Sequence, residues 1–382
     1  MPVMHARFPA GRALRLLAAS LVMTGVLIGL GSAGASGSTC QNWTGVPPPN
    51  PGTFANSLNG VAVVSACGAW AVGSYDNGTV QQTLVEHWNG SAWSVVASPD
   101  PGAGSILSGV QAASRTDIWA VGSYTDSSGA EKTLALHWNG TVWKQAATPN
   151  PGAATNELSG VRVLSANDAW AVGSFLRFDS AVFHTLILHW NGTRWTRVAS
   201  PSPGRFAGLT GVAATSASNA WAVGGTGTGT LILHWNGTKW THVASPPGAG
   251  VLMGVSAKSA ANAWAVGTSL GGVDHTLILH WNGARWTRVA SPNPGGSHFD
   301  NTLSGVAVTS AGNAWAVGNY TTGPAGSKTL ILRWNGTKWT HVASPNPGTS
   351  NQLNAVGAWS ASNAWAVGSV NSGGTALAIH CC

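Results

Sequence analysis

Charge is scarce in this chain: only 8% of its 382 residues are Asp, Glu, Lys or Arg. Four methionines, three tyrosines and four cysteines are also few. Basic residues such as Lys239, Arg285 and Lys338 recur singly, with no run among them. Nucleic-acid binding calls for a clustered basic stripe, so no nucleic-acid partner is expected. Beyond the first 35 residues no apolar run is long enough to span a bilayer, which excludes stable membrane insertion by helices. A G-x-S-x-G nucleophile motif is absent. The glycine-rich run Gly224–Gly229 precedes a strand rather than a helix, so it does not read as a phosphate loop. No cofactor or metal is expected.

What the chain does have is tryptophan (21) and glycine (51). The tetrapeptide Trp-Ala-Val-Gly occurs seven times, starting at Trp70, Trp119, Trp170, Trp221, Trp264, Trp315 and Trp365, with spacings of 49, 51, 51, 43, 51 and 50 residues. A period near 50 marks one supersecondary unit copied seven times. Ahead of the repeats, Arg7, Arg12 and Arg15 precede an apolar run from Leu16 to Leu30, and Ala33-Gly34-Ala35 forms a cleavage site. Residues 1–35 read as a secretory signal peptide, which predicts an extracellular protein. Without them 15 basic residues face 11 acidic ones, a net charge of +4.

The third repeat shows the unit. Leu158–Leu164 alternates as a strand A, Ala169–Gly173 is strand B, Thr185–Trp190 strand C, and Trp195–Val198 strand D. Asn191-Gly192 between C and D predicts a two-residue type I′ hairpin. The Ser-Pro-Ser-Pro-Gly run from Ser200 ends pairing, because proline has no amide hydrogen. Four antiparallel strands in each of seven repeats predict an all-β, seven-bladed β-propeller over residues 36–382. The seventh repeat lacks strand D, whereas Asn42-Trp43-Thr44 matches it. Blade seven is therefore expected to be shared between residues 40–47 and 353–382, closing the ring and removing a free edge.

The Trp-Ala-Val-Gly strand and the Trp-Asn-Gly-Thr-x-Trp turn (Trp190 to Trp195) resemble those of secreted Asp-box (BNR-type) and photosystem-assembly-factor-like repeat propellers. Asn stands where the box has Asp. The resemblance implies the propeller and carries over no active site.

Histidine recurs before the strand-C tryptophan (His87, His137, His189, His234, His280 and His380, with Arg333 in blade six), but equivalent places in different blades lie too far apart to share one ion. Every Phe and Tyr after the leader falls in or beside a B–C or D–A connection, which share one face of the ring. The longest B–C connection, in blade three, with the following D–A connection, gives the candidate ligand-binding residues Phe175, Arg177, Phe178, Asp179, Phe183, His184, Arg205 and Phe206. The reading is a secreted, non-enzymatic recognition propeller for cell-surface or environmental glycans, with a glycan or an extracellular protein as its partner. The alternatives are a polysaccharide hydrolase or lyase using loop carboxylates such as Asp179 and Asp300, or a protein-binding scaffold. Oligomeric state is not legible. Cys40, Cys67, Cys381 and Cys382 are expected to meet where blades seven and one join, with Cys40 and Cys67 each bridged to one of the terminal pair.

Overall fold

In the computed structural model, residues 42–177, 182–248, 250–323 and 326–382 are described. They form seven four-stranded antiparallel sheets. Blade three comprises strand A (Thr155–Ser165), B (Asp168–Arg177), C (Val182–Trp190) and D (Trp195–Arg197). Strands B and C run further than the sequence suggests, with Phe175 opposite His184 and Arg177 opposite Val182. Blade seven takes A, B and C from Asn351–Ser360, Asn363–Val370 and Thr375–Cys381, and its outer strand from Thr44–Gly45. Thr44 pairs with His380 and Gly45 with Ile379, so the two ends of the chain share one sheet.

The hydrophobic core is divided among seven clusters, each spanning two neighbouring blades. At each interface the tryptophan of Trp-Ala-Val-Gly meets tryptophans of the next blade. Trp170 lies 5.3 Å from the strand-D Trp240 at 89°, and 5.0 Å from the strand-C Trp235. Such edge-to-face pairs add about 0.5–1.5 kcal/mol beyond their buried area. At the closure Trp43 takes the strand-D role against Trp315 (5.3 Å, 86°). Cys381, opposite Ala364, stands where strand C elsewhere places a tryptophan.

Glycine positions follow from close approaches. A Cβ on Gly173 would collide with the backbone carbonyl of Glu157 on strand A, so the tetrapeptide must end in glycine. Nearer the axis, Gly160 backs directly onto Gly211 of the following blade.

Two expectations are corrected. In the C–D turns only the glycine has a positive φ (Gly192, 92°), so these are not type I′ turns. Trp190 pairs with Trp195, leaving four residues between them. Asn191 Oδ1 closes that loop by accepting the backbone N–H groups of Thr193 (3.1 Å) and Arg194 (3.0 Å), an Asx turn. The four-cysteine latch is likewise not formed. Cys67 and Cys382 are exposed free thiols, while Cys381 is buried and disulfide-bonded. Cys67 sits above Gly90, in the C–D turn of its own blade, rather than over blade seven. Cys40 lies outside the described residues. With Cys67 and Cys382 excluded, non-reducing peptide mapping should recover the Cys381 peptide linked to the Cys40 peptide; a Cys67-containing disulfide would contradict the free thiol.

Blade one breaks the strand-C pattern. Glu86 occupies the place held by Leu188, Leu233, Leu279 and Leu332, where it is fully buried with neither carboxylate oxygen hydrogen-bonded. Burial pushes its pKa up to about 8. The native state therefore keeps a proton that the unfolded chain releases above about pH 4.5, and stability falls as pH rises from there to about 8. Leucine fits this place in other blades, including blade three, where Leu188 shares a cluster with Ala135 of blade two. Glu86→Leu should therefore be more stable than wild type, with a margin that widens by up to about 1.4 kcal/mol per pH unit across that window. Denaturant titrations at pH 5, 6.5 and 8 check this; a margin independent of pH would show that the carboxyl titrates normally.

Candidate functional site

The Pro-Asn-Pro-Gly segments of the D–A connections hold one face of the ring in place. Asn150 Oδ1 accepts the N–H of Thr133 at the start of strand C (2.8 Å), and Asn293 and Asn346 serve Thr276 and Thr329 in the same way. Where strand A begins, buried Asn156 receives Gly152 N–H (2.6 Å) and donates to Gly152 O (2.8 Å) and to Glu131 O of the preceding blade (3.1 Å). Asn56 repeats this across the ring closure, donating to Gly374 O at 3.3 Å. Loops tied at both ends present their side chains at little entropic cost on binding.

The aromatic residues of this face divide into two sets. Phe175 is buried, stacked on His184 (5.3 Å), with the Arg197 guanidinium 4.7 Å above its ring. Tyr75, Tyr124 and Tyr320 are partly buried against the inter-blade clusters. All four belong to strand B, so their rings pack and are not presented by a loop. By contrast the D–A residues Phe54, Phe206 and Phe299 are 72%, 57% and 37% exposed. Each lies beside a positive-φ glycine in the B–C hairpin of its own blade: Phe54 at Gly78, Phe206 at Gly227 and Phe299 at Gly323. Because a Cβ on Gly78 or Gly227 would press into the ring, the glycine lets the phenyl group lie flat on the hairpin.

Blade three brings together part of the expected set. Phe183 N–H donates to Arg205 O (3.0 Å), and Phe183 bridges to Phe206 in parallel. Arg205 and Arg177 are exposed, while Phe183 and His184 are half-buried. Phe178 and Asp179 lie outside the described residues. Phe175 is corrected from ligand contact to core. Phe54 and Phe299 were not among the expected site residues, although their positions in the D–A connection, one and two residues before strand A against two for Phe206, mark them as counterparts.

The carboxylates Asp76, Asp126, Asp274 and Asp300 lie on the same face. Asp300 Oδ1 accepts the Asp274 N–H (3.0 Å), and burial together with the Asp300 charge raises the Asp274 pKa. The opposite face carries another charge pattern. Arg194, Lys239, Arg285 and Lys338 occupy the same exposed place in four C–D turns, and Arg115 and Lys258 lie on that side too. Basic residues that look scattered along the sequence thus share one face of the ring.

The histidine column is structural. Each ring packs on its own blade's tryptophan, as His189 does on Trp170 (4.4 Å). His137 and His189 bond to Asp117 and Asp168 (2.8 and 2.9 Å), and His234 and His280 to Asn219 and Asn262. Arg333 substitutes by donating to Asn313 and lying over Trp315. Burial lowers the pKa of His87, His234, His280 and His380. Among the described residues no group of three potential metal ligands converges, and no helix is long and apolar enough to cross a membrane.

No family model matches the chain, and no curated protein matches it in sequence. Solved structures do resemble it. YCF48 bound to D1 peptide superposes with a TM-score of 0.55 at 13% identity, covering 90% of this chain and 97% of that one. YCF48 from Cyanidioschyzon merolae gives 0.53 at 16%, covering 88% and 98%. The WD40 propeller domain of Doa1 gives 0.55 at 10%, covering 89% and 97%. At these identities the likeness is one of fold: the chain is an all-β seven-bladed propeller with the architecture of YCF48 and WD40 propellers, and the Asp-box resemblance finds no further support.

Proposed function

We propose that this is an exported recognition propeller that binds an extended polypeptide across the face bearing Phe54, Phe206 and Phe299. The observation that carries the reading is the repeated seating of an exposed phenylalanine on a hairpin glycine, in blades one, four and six. Exposed apolar rings on rigid loops have the properties of interface anchors. Asp76, Asp274 and Asp300 among them favour a partner with basic residues between its apolar ones, whereas Asp126 is paired with Lys132. YCF48, similar in fold, is bound to a D1 peptide in one solved structure, which is consistent with this choice of ligand. The leader-like residues 1–35 support export.

A glycan ligand is the second reading. It is favoured by the same flat rings beside paired carboxylates, since aromatic faces also stack on sugars. Asp274 and Asp300 lie near enough for the Asp300 charge to raise the Asp274 pKa, so reducing-sugar release with Asp300→Asn as control tests the hydrolase branch.

Selection of a random-peptide display library on the immobilised whole protein, run beside a glycan array, separates the two. Peptides rich in basic and aromatic residues should be enriched. Phe206→Ala and Phe54→Ala should each weaken their binding at least about tenfold, the scale of an aromatic anchor, with the melting temperature nearly unchanged. Array hits lost in Phe206→Ala, without peptide enrichment, would replace the peptide by a glycan. Ligands indifferent to all three phenylalanines would remove the face from consideration.

A further inference from the structure

The central channel is lined by strand A of every blade. Its waist is a ring of seven valines: Val61, Val110, Val161, Val212, Val255, Val306 and Val356. One residue further along strand A, facing the basic side of the ring, the lining would be almost uniformly small: Ala62, Ala213, Ser256, Ala307 and Gly357. Blades two and three break that ring with Gln111 and Arg162, side by side in the blade order.

Arg162 Nε donates to Ala214 O of the next blade (3.2 Å), and the guanidinium forms no ion pair among the described residues. No carboxylate lines this cavity of about 440 Å³. Burial lowers the Arg162 pKa, as expected for a cation without a counter-charge. Gln111 Oε1 is also buried and accepts no hydrogen bond. Ser256 is already engaged, its Oγ accepting Val308 N–H. Lys258 stands exposed at the mouth.

We infer that this half of the channel is a binding site for a small carboxylate that carries a hydrogen-bond donor on its neighbouring carbon, an α-hydroxy or α-amino acid. The guanidinium fork matches a carboxylate in two parallel N–H···O bonds. Turning the Gln111 amide outward into the channel lets the adjacent hydroxyl or amine supply the donor that Oε1 lacks in its buried position, where leaving that acceptor unmet is costly. A single deep cation suits one negative charge better than a phosphate dianion. The valine ring makes the inner end apolar, which disfavours a longer polar chain. Lys258 and the basic C–D turns attract anions to the mouth. This site lies on the face opposite the phenylalanines and is independent of the reading proposed for them.

Isothermal titration of the full-length protein with acetate, lactate and sulfate tests the assignment. Lactate should bind saturably, at one site per chain and about tenfold more tightly than acetate or sulfate. Arg162→Met should abolish binding of all three. Gln111→Leu should bring lactate down to the level of acetate, a discrimination that general loss of structure would not produce. Melting temperatures add a second readout: lactate should raise that of the wild type and leave that of Arg162→Met unchanged. Equal affinity for lactate and acetate in the wild type, or lactate binding retained in Arg162→Met, would overturn the proposal, as would no binding at all.

Discussion

Everything in this molecule depends on the contact between one blade's strand-B tryptophan and the strand-C and strand-D tryptophans of the next. A four-stranded sheet of this size buries no core alone. Stability arises only when the indole of Trp170 is covered by Trp235 and Trp240, and so on around the ring. The seven clusters are therefore seven interfaces, and the last must be supplied by Trp43 from the other end of the chain.

With the interfaces fixed by aromatic packing, the two faces and the channel are free to vary. The histidines, Asx turns and Pro-x-Pro-Gly segments (x being Asn, Asp or Ser) satisfy backbone and imidazole polarity and recur in nearly every blade. Departures from the repeat carry the individuality of the chain: three phenylalanines, an acid pair, a buried glutamate, and one glutamine–arginine step in the channel. Glu86 differs in kind from the others. It lies two residues from Leu84 on the face of strand C that packs against blade seven, where an unpartnered carboxyl makes stability depend on pH.

The face chosen for recognition keeps its place through local hydrogen bonds. Asn56, Asn156 and Asn351 fasten the D–A connections of blades one, three and seven both to their own glycine turns and, as at Glu131 O, to the preceding blade. A loop held in this way can display an exposed phenyl ring without collapsing onto it, as at Phe54; in blade four, which has Ala207 at the asparagine's place, the Phe183 N–H to Arg205 O bond ties the loop beside Phe206, while Phe175, on a strand, is buried.

The sequence by itself determined the blade number, the strand order within each blade and the shared seventh blade, because repeat period and strand alternation are local and additive. It also located the aromatic face and the meeting of Phe183 with Arg205–Phe206. It did not reveal which rings were covered: Tyr75 and Phe54 fall in adjoining segments, and only the extended B–C register separates a packed side chain from a presented one. Nor could spacing show the C–D turn as an Asx turn, since Asn-Gly serves both geometries. The basic side chains looked dispersed because a 50-residue period hides neighbours, whereas the closed ring sets equivalent positions side by side. Arg162 became a candidate only when the channel brought it into one cavity with Gln111 of the neighbouring blade and no carboxylate in the lining, an arrangement that no linear pattern encodes.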